Sequence, residues 1–371
     1  MKVADLPDID FVNVSKEEVE TAVFTKYTEI TGRTLSKGDP IRLFIFFIVA
    51  FIMLLINKIN ETGRQNLLKY STGDNLDNLA AWWGVTRISA QPAMTTLKVD
   101  LSTVREQVTI IPAGTRVSPQ KDLFFATNED LIIPAGDTSS TVVASCTDTG
   151  TIGNDFAIGE ISRIVDPIAY VKSMSNITKS QGGSAIEDDD SLRERTFEAP
   201  EGFSCAGSSG AYIFHTKSVN SLIIDVAVSR SAPGCVKVVP LLKNGEIPGS
   251  EIIDKVKEHL SADKIRPFTD NVSVEAPAIV HFDLDIFYYI EDDADATIVS
   301  SNVAAAVDKF IIWQKSKLGR DINDSELIAY VKAVAGVKRV IVNSPVFTPL
   351  DVFELAIANN VSVTMLGREQ E

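Results

Sequence analysis

The chain has 371 residues, a formal net charge of −15 and an isoelectric point near 4.8. So acidic a protein repels nucleic-acid phosphates and anionic membrane surfaces, which argues against general nucleic-acid binding. Hydrophobic residues make up 45% and charged residues 23%, so the chain can build a sizeable core, and wholesale disorder is excluded.

The cysteines and the N-terminal segment indicate the compartment of folding. Cys146, Cys205 and Cys235 are far apart and form no CxxC pair, which argues against a disulfide framework and a zinc site. The chain begins with MKVADLPDIDFVNVSKEE, which is acidic and lacks the apolar core of a secretory signal peptide. We therefore expect the protein to be made and folded in a reducing cytoplasm.

Two helices are predicted in the first part of the chain. The first covers Asn13 to Thr31, with Ser15 as N-cap and Glu18 completing a capping box. The second begins after Asp39, a residue type favoured at the N-cap, with Pro40 in the first helical position.

This second helix carries an unusual apolar run. Leu43–Ile56 contains no polar side chain, and we expect the helix to continue to about Thr62 and to end at Gly63. A bilayer span needs about 20 apolar residues, so this shorter run favours a buried helix over a membrane anchor. Helices that are apolar on all sides are buried on all sides, which predicts a bundle shared with other chains. The candidate inter-subunit residues are Leu43, Phe44, Phe47, Ile48, Phe51, Leu54 and Leu55.

A further helical stretch, Arg64–Val85, is expected to break at Gly73 and restart at Asp74. After Pro92 the pattern changes to short alternating apolar and polar segments. The motif IPAG occurs twice there, and its Pro and Gly residues are typical of turns between strands. We therefore predict a helical N-terminal part, residues 1–90, and a small β domain, residues 91–175.

The remainder alternates helical and strand patterns in two units, residues 176–277 and 278–371. Both contain a helix end followed by a strand, and both contain the tetrapeptide NVSV, at Asn271–Val274 and Asn360–Val363. These two similarities leave open whether the two units share a fold. The predicted fold class is α+β multidomain: a helical part, a small β domain and two α+β domains.

No constellation of catalytic or metal-binding residues is found. His215, His259 and His281 are separated in sequence and belong to no HExxH motif, and no phosphate-binding glycine motif occurs. We expect no cofactor and no metal site.

Three short stretches are candidates for catalytic or metal-binding sites. The stretch GFSCA around Ser204 differs from a GxSxG elbow in its last residue and follows a helix end, so we expect a turn that caps the helix near Ser209. The acidic clusters Glu187–Asp190 and Glu291–Asp295 suit helix N-termini better than a glycosidase site. Calcium binding at the first cluster stays open, although the EF-hand order is missing.

The segment NLLKYSTGDNLDNLAAWWGVTR (Asn66–Arg87) resembles the baseplate J-like family of contractile phage tails, R-type bacteriocins and related injection machines. The family pattern has a G-D-P turn, a leucine pair, a G-D-x-L-D-x-L-A stretch and a G-V-x-R end. The resemblance continues in the family's order over nearly the whole chain. The matching stretches are Gly38–Pro40, Leu67–Leu68, Gly73–Ala80, Gly84–Arg87, Ile111–Val117, Phe124–Glu129, Gly150–Ile161, Asn176–Arg195, Ala232–Val239 and Arg266–Pro277.

The resemblance implies a non-enzymatic baseplate wedge protein of the inner ring around the hub. Two copies would join a partner wedge protein through an N-terminal helix bundle, and the C-terminal domains would pair with each other. Hub or tube-initiator proteins are further expected partners. The motif residues, including Asp74 and Asp77, would be structural, shaping turns and capping helices. The expected location is the tail baseplate of a virion or bacteriocin particle, after synthesis in a bacterial cytoplasm.

Two alternative functions are kept. A membrane-attached surface protein would use the apolar helix as its anchor, and a tail-associated cell-wall hydrolase would use residues such as Glu187 or Ser204. The first is disfavoured by the short apolar run, and the second by the lack of a cleft motif.

Overall fold

A computed structural model describes residues 3–120, 122–204, 207–262, 265–267 and 269–369, with only the backbone of Ser231. These residues form an α+β multidomain fold in which the chain divides into two compact units. One unit contains residues 1–87 and 188–200, and the other contains residues 88–187 and 201–371. The predicted division into four domains stays a prediction.

The first unit is helical. A capping box begins its first helix: the Ser15 hydroxyl accepts from the Glu18 N–H, and the Glu18 carboxylate accepts from the Ser15 N–H at 2.7 Å. Asp39 caps the second helix by accepting from the Ile41 N–H at 3.0 Å, which confirms the start predicted there. The helices of the described residues here are α1 (Lys16–Thr31), α2 (Pro40–Arg64), α3 (Gly73–Ala81) and the start of α4 (Asp189–Gly202).

Gly63 does not end α2, contrary to the sequence prediction, because it lies inside the helix. A Cβ at this position would lie 2.5 Å from the ring of Phe11. The N-terminal segment runs along this end of α2, where Asn60 donates to the Val12 carbonyl and accepts from its N–H. Gly63 therefore provides space for Phe11.

The helical stretch predicted after α2 is also wrong in part. Residues 65–72 form hydrogen-bonded turns, with the Tyr70 and Ser71 N–H groups donating to the Leu67 carbonyl. The next helix starts at Gly73, whose φ of 52° is positive, rather than at Asp74. The prediction missed this because turn-forming hydrogen bonds leave no hydrophobic periodicity.

The second unit begins with a β domain. Its main sheet has six strands in the order β7-β3-β4-β6-β1-β8, and its end strands contact each other, so it forms a nearly closed barrel around an apolar core. The strands are β1 (Pro92–Leu101), β2 (Thr109–Ile111), β3 (Arg116–Gln120), β4 (Leu123–Thr127), β5 (Leu131–Ile133), β6 (Ser139–Thr149), β7 (Arg163–Ile164) and β8 (Val171–Asn176).

The two IPAG motifs form equivalent turns, as predicted. Strands β2 and β5 pair with each other, with Ile110 opposite Ile132. After each strand, Gly114 and Gly136 adopt positive φ values of 81° and 92°. A glycine is favoured at this point because other residues are strained at positive φ.

Two mixed three-stranded sheets follow. In the order β11-β10-β9, β10 pairs antiparallel with β9 and parallel with β11; in the order β13-β12-β14, β12 pairs antiparallel with β13 and parallel with β14. The elements are α5 (Ser209–Lys217), β9 (Ile223–Ala232), β10 (Cys235–Leu242), α6 (Ser250–Leu260), β11 (Asn271–Val274), β12 (Ala278–Ile290), α7 (Ala296–Gln314), α8 (Asp324–Lys332), β13 (Val337–Ser344) and β14 (Glu354–Arg368).

The two sequence patterns that these units share occupy corresponding places in the two sheets. Each NVSV lies on the strand that runs parallel to the central strand, and each helix end leads into the antiparallel neighbour. The central strand comes second along the chain in the first sheet and first in the second sheet. The units thus share a sheet pattern but differ in chain order.

A buried carboxylate ties the barrel to the following sheet. Glu251, on α6, accepts hydrogen bonds from the hydroxyls of Thr96 at 2.7 Å and Thr178 at 2.6 Å. Glu251 is buried and hydrogen-bonded, as a buried charge must be. These contacts fix α6 against strand β1.

Replacing Gly63 with Ala tests the packing of the N-terminal segment on α2. The added methyl group occupies the position of the Phe11 ring, so we expect Phe11 to be displaced and the segment released. Hydrogen exchange should become faster at the Val12 amide, which bonds to Asn60. A Gly38→Ala control, where no atom lies within 4 Å of the added Cβ, should leave exchange unchanged. Unchanged exchange in Gly63→Ala would show that this contact does not hold the segment.

Two histidines on α5 and α6 give the second unit a predicted acid sensitivity. The ring centroids of His215 and His259 are 6.1 Å apart, and burial lowers the pKa of both imidazoles. The unfolded chain therefore binds more protons in acid, and stability is lost as the pH falls below the ordinary histidine pKa of about 6.5.

A His259→Phe variant should lose less stability between pH 7 and pH 5 than the parent protein, as measured by urea unfolding monitored by circular dichroism. His281, whose side chain is exposed on β12, supplies the matched His281→Phe control. An equal pH slope in the His259 variant and the parent would contradict the prediction.

Candidate assembly interface

One side of α2 packs inside its own chain. Ile45 and Val49 are buried, and they pack with Val19 and Val23 of α1. Phe24 of α1 meets Phe46 of α2 edge-to-face at 5.6 Å. The two helices form a hairpin joined by residues 32–39, which fixes the orientation of α2.

The other side of α2 is left exposed by the described residues. With about 100° between successive residues, the exposed apolar side chains from Leu43 to Ile59 span an arc of about 160°. Their exposed fractions range from 53% to 72%. We call this the α2 arc, and it consists of Leu43, Phe44, Phe47, Phe51, Leu54, Leu55 and Ile59.

The sequence-predicted interface residues fall almost entirely within the arc. Six of the seven are exposed, and Ile48 is half-buried at the border with α1. Ile59 belongs to the arc but was missed, because it follows the polar residues Asn57 and Lys58. Helical periodicity could have found it, since it lies four residues after Leu55.

Aromatic rings form a row along the arc. Phe44 stacks on Phe47 with centroids 6.4 Å apart, and Phe47 lies 4.9 Å from Phe51. Phe44, Phe47, Phe51 and Leu54 follow a 3-4-3 spacing, which is the spacing of a coiled-coil seam. The arc therefore presents a ridge of large side chains along α2.

An apolar groove runs beside this ridge, between α1 and α2. Its volume is about 480 Å³, and it opens to solvent. Phe44 belongs to both the groove and the arc, so the two surfaces are continuous. The groove is lined by Ala22, Val23, Lys26, Tyr27, Ile41, Phe44, Ile45 and Ile48.

Charged groups lie only at the two ends of the arc. At one end the Arg42 guanidinium lies over the rings of Phe24 and Phe46, 4.9 and 5.5 Å from their centroids. At the other end Lys58 pairs with Glu61 at 2.8 Å. The surface is therefore apolar in the middle and charged at its ends, as in stable protein interfaces.

A second exposed apolar surface lies after α3. Trp82 is 86% exposed, and with Trp83 it borders a groove of about 490 Å³ that also includes Leu67, Leu68 and Leu79. Sequence reasoning did not single out this surface. Two adjacent tryptophans at the end of a short helix were the available signal, because neighbouring residues on a helix cannot both face one core.

The residues of the G-D-x-L-D motif hold this helical unit together. Arg87 pairs with Asp77 on α3 and with Asp189 at the start of α4, at 2.7 Å each. The Gly73 N–H donates to Asp189 at 3.0 Å, and this bond together with Arg87 lowers the pKa of the Asp189 carboxyl. Asp74 lies in the first turn of α3, where carboxylates are favoured. The motif therefore orients α3.

The three candidate catalytic or metal-binding stretches form turns and helix caps. The Ser204 N–H donates to the Glu201 carbonyl, and Ser208 caps α5 by accepting from the Ala211 N–H. Asp295 caps α7 through the N–H groups of Thr297 and Ile298. Cys205 and Ala206 of the GFSCA stretch lie outside the described residues.

The first acidic cluster begins α4. Asp188 accepts from the Ser191 N–H at 2.8 Å, and Asp189 and Asp190 lie in the first helical turn. Within the described part of the chain, no group of three His, Cys, Asp or Glu side chains could hold a metal ion. Helix-start contacts account for Asp188 and Asp295, as predicted, whereas the buried carboxylate of Glu187 accepts from the Ile88 N–H at 2.9 Å.

Two helices among the described residues, α2 and α7, are long and apolar enough by length and composition to cross a bilayer. Helix α7 contributes Val303, Val307 and Phe310 to the core of the C-terminal sheet. Helix α2 is the less buried of the two.

Four family profiles match the chain in consecutive segments. They are the Baseplate J-like N-terminal domain at residues 48–94, the barrel domain at residues 98–183, the central domain at residues 204–276 and the C-terminal domain at residues 283–364. Together they cover most of the chain.

Individual relatives give more limited matches. Baseplate protein J of Escherichia phage P2 is 30% identical over 163 residues, which is 44% of this chain and 53% of that protein. The chain thus aligns with about half the length of this curated relative. A solved structure of the anti-feeding prophage baseplate, determined by cryo-electron microscopy with six-fold symmetrisation, aligns over 94% of this chain and 92% of its own, with 10% identity and a TM-score of 0.39. By its four consecutive domain matches, the chain belongs to the Baseplate J-like family and is a structural component of a tail baseplate.

Proposed function

We propose that this protein is a wedge component of the inner baseplate ring and that it is built in through the α2 arc. The observation that carries the proposal is the row of seven large apolar side chains that this chain leaves exposed on α2. Residues of this kind gain free energy when water is removed from them, so the arc favours association with another apolar surface.

The size of the arc supports a stable contact. A large side chain has about 150–250 Å² of surface, so seven that are more than half exposed present on the order of 700 Å². The largest apolar patch on a typical monomer is about 300–600 Å², and each partner of a standard interface buries about 800 Å². The arc alone therefore comes close to one side of a standard interface.

The width of the arc indicates more than one neighbour. A helix that packs against one surface uses an apolar stripe of about 100°, and the α2 arc spans about 160° beyond the side that α1 covers. Two further helices, one of them in the groove between α1 and α2, would bury the arc. Two further helices around α2 fit a bundle made by two copies of the chain and one partner wedge protein.

The packing of α1 favours a protein bundle over a membrane. Helix α1 lies along α2 and carries Lys16, Glu17, Glu18, Glu20, Lys26 and Glu29. Inserting α2 into a bilayer would either move these charges into hydrocarbon or break the contacts of Ile45 and Val49, and charges at the bilayer centre are costly.

The remaining domains would form the ring. In this proposal the C-terminal domains pair between copies, and the inner surface of the ring contacts hub or tube-initiator proteins. No catalytic step is assigned to the chain, and it works mechanically. Interfaces between rigid domains can adopt two discrete packings, which is what a baseplate that changes its ring contacts would need.

Charged substitutions in the arc should block assembly. We expect Phe47→Asp or Leu54→Asp to leave circular dichroism and thermal unfolding near those of the parent protein, because both side chains face solvent in the single chain. Burying a carboxylate in a bundle is unfavourable, so wedge complexes recovered by copurification with tail proteins should fall at least tenfold.

Ile30→Asp provides the matched control, since Ile30 is 75% exposed at the end of α1, outside the arc and its groove. Its complexes should form normally. Normal particle yield with both arc variants would contradict the bundle, and recovery of the parent chain with lipid vesicles instead of tail proteins would favour the membrane alternative.

A further inference from the structure

The barrel has an exposed apolar surface beside the start of β8. The segment that follows β1 meets the turn before β8, where the Ser102 N–H donates to the Tyr170 carbonyl at 2.9 Å. The Arg105 guanidinium joins this turn to β2, since it donates to the Thr109 hydroxyl at 3.0 Å and lies over the Tyr170 ring, 4.0 Å from its centroid. We call this surface the barrel patch, and it consists of Val104, Arg105, Val108, Ile110, Ile132 and Tyr170.

Five large side chains of the barrel patch are exposed to solvent. Ile110 and Ile132 lie opposite each other on β2 and β5, whereas their neighbours Ile111 and Ile133 are buried in the barrel core. All five are more than half exposed, and together they present on the order of 400 Å², a size that is often functional on a monomer. This area is about half of what one partner of a standard interface buries, which suits a short segment better than a whole domain.

The backbone at Tyr170 is strained. Residues 168–171 form a turn closed by the Val171 N–H, which donates to the Ile168 carbonyl at 3.2 Å, and Tyr170 at the third position has a φ of 68°. Glycine or asparagine is favoured at this position, and a bulky residue is strained there. The tyrosine ring is 53% exposed, so burial in the barrel does not explain it. A contact made outside this chain would account for a tyrosine here.

Arg105 is a cation that has no ion pair among the described residues. Its polar and aromatic contacts are the Thr109 hydroxyl and the Tyr170 ring. The chain has 50 acidic and 35 basic residues, so carboxylates are plentiful, and yet none pairs with this guanidinium in the described part of the chain. A guanidinium has five N–H donors in a planar fork, and one bond to Thr109 leaves most of them for a carboxylate from elsewhere.

We propose that the barrel patch binds a short segment of another baseplate protein in which an aspartate or glutamate lies between apolar side chains. The carboxylate accepts from Arg105, and its apolar neighbours pack on Ile110, Ile132 and Tyr170. Tyrosine and arginine are among the residue types that contribute most to protein interfaces. A two-fold contact with a second copy, centred on the patch, is disfavoured because it brings two Arg105 guanidinium groups together.

Photo-cross-linking in assembled particles tests this contact. The photoreactive amino acid p-benzoylphenylalanine, placed at the position of Ile132, bonds on illumination to whatever lies against it. Purified particles should then yield this chain joined to one other baseplate protein. Mass spectrometry should place the link within a few residues of an Asp or Glu that has apolar neighbours.

The matched control carries the same label at the position of Ile158. This side chain is 68% exposed, and the adjacent Gly159 N–H donates to the Asn176 carbonyl, at the end of β8 that lies about 20 Å from Tyr170. The control label should give no product with the same segment.

A charge reversal tests the role of Arg105. Arg105→Glu should lower the cross-linked yield at least about tenfold, because two carboxylates then face each other. Changing the partner's carboxylate residue to Arg in the same particles should restore the yield. Arg105→Lys keeps the charge but lacks the planar fork, so its yield should lie between those of the parent and Arg105→Glu.

Tyr170→Gly separates binding from folding. Glycine adopts a positive φ without strain, so the thermal unfolding temperature of the chain, followed by circular dichroism, should not fall. The cross-linked yield should nevertheless fall about tenfold, because the variant lacks the ring on which the segment packs.

Four results would overturn the proposal: no product from the Ile132 label, a link to a second copy of this chain, a link to a segment without a carboxylate residue, or equal yields from the Ile132 and Ile158 labels. Unchanged yields in both Arg105→Glu and Tyr170→Gly would overturn it as well. If Arg105→Glu does not fold, Tyr170→Gly and the sequence of the linked segment decide. These results leave the α2 arc untouched, because the barrel patch belongs to the other compact unit of the chain.

Discussion

The structure depends on one constraint: helix α2 has more apolar surface than its own chain can cover. Helix α1 covers the side that carries Ile45 and Val49, and the opposite arc stays in water. Burial of that arc is worth on the order of 15 kcal/mol before the entropic cost of association, so the free chain favours contact with another apolar surface. The proposed wedge role follows from this imbalance.

Much of the helical unit keeps the arc presented in one orientation. The capping box at Ser15 and the cap at Asp39 fix where α1 and α2 begin, and the N-terminal segment is held against the far end of α2 by Asn60. The charged groups of Asp77, Arg87 and Asp189 then orient the following helix. These polar contacts are made in the single chain, so α2 is pre-organised and loses less entropy on binding than a mobile helix would.

The sequence by itself determined most of the secondary structure, the capping residues and the position of the apolar run in α2. These features arise from residues that are neighbours in the chain, and local periodicity and capping chemistry report them directly. It also identified the family, because matching stretches occur in order along the whole chain. Six of the seven predicted interface residues are exposed on one side of α2, but the run is apolar on all sides, so the packing of α1 decided which side is exposed.

Only the tertiary structure decided which distant residues meet. Phe11 explains why Gly63 lies inside a helix, Asp189 bonds to Gly73 across more than a hundred residues, and His215 lies beside His259. Likewise, the sequence shows that residues 355–367 carry no charge, but only the sheet order shows that they lie in an edge strand. Such pairings depend on how the chain folds back on itself, and no local pattern in the sequence records them.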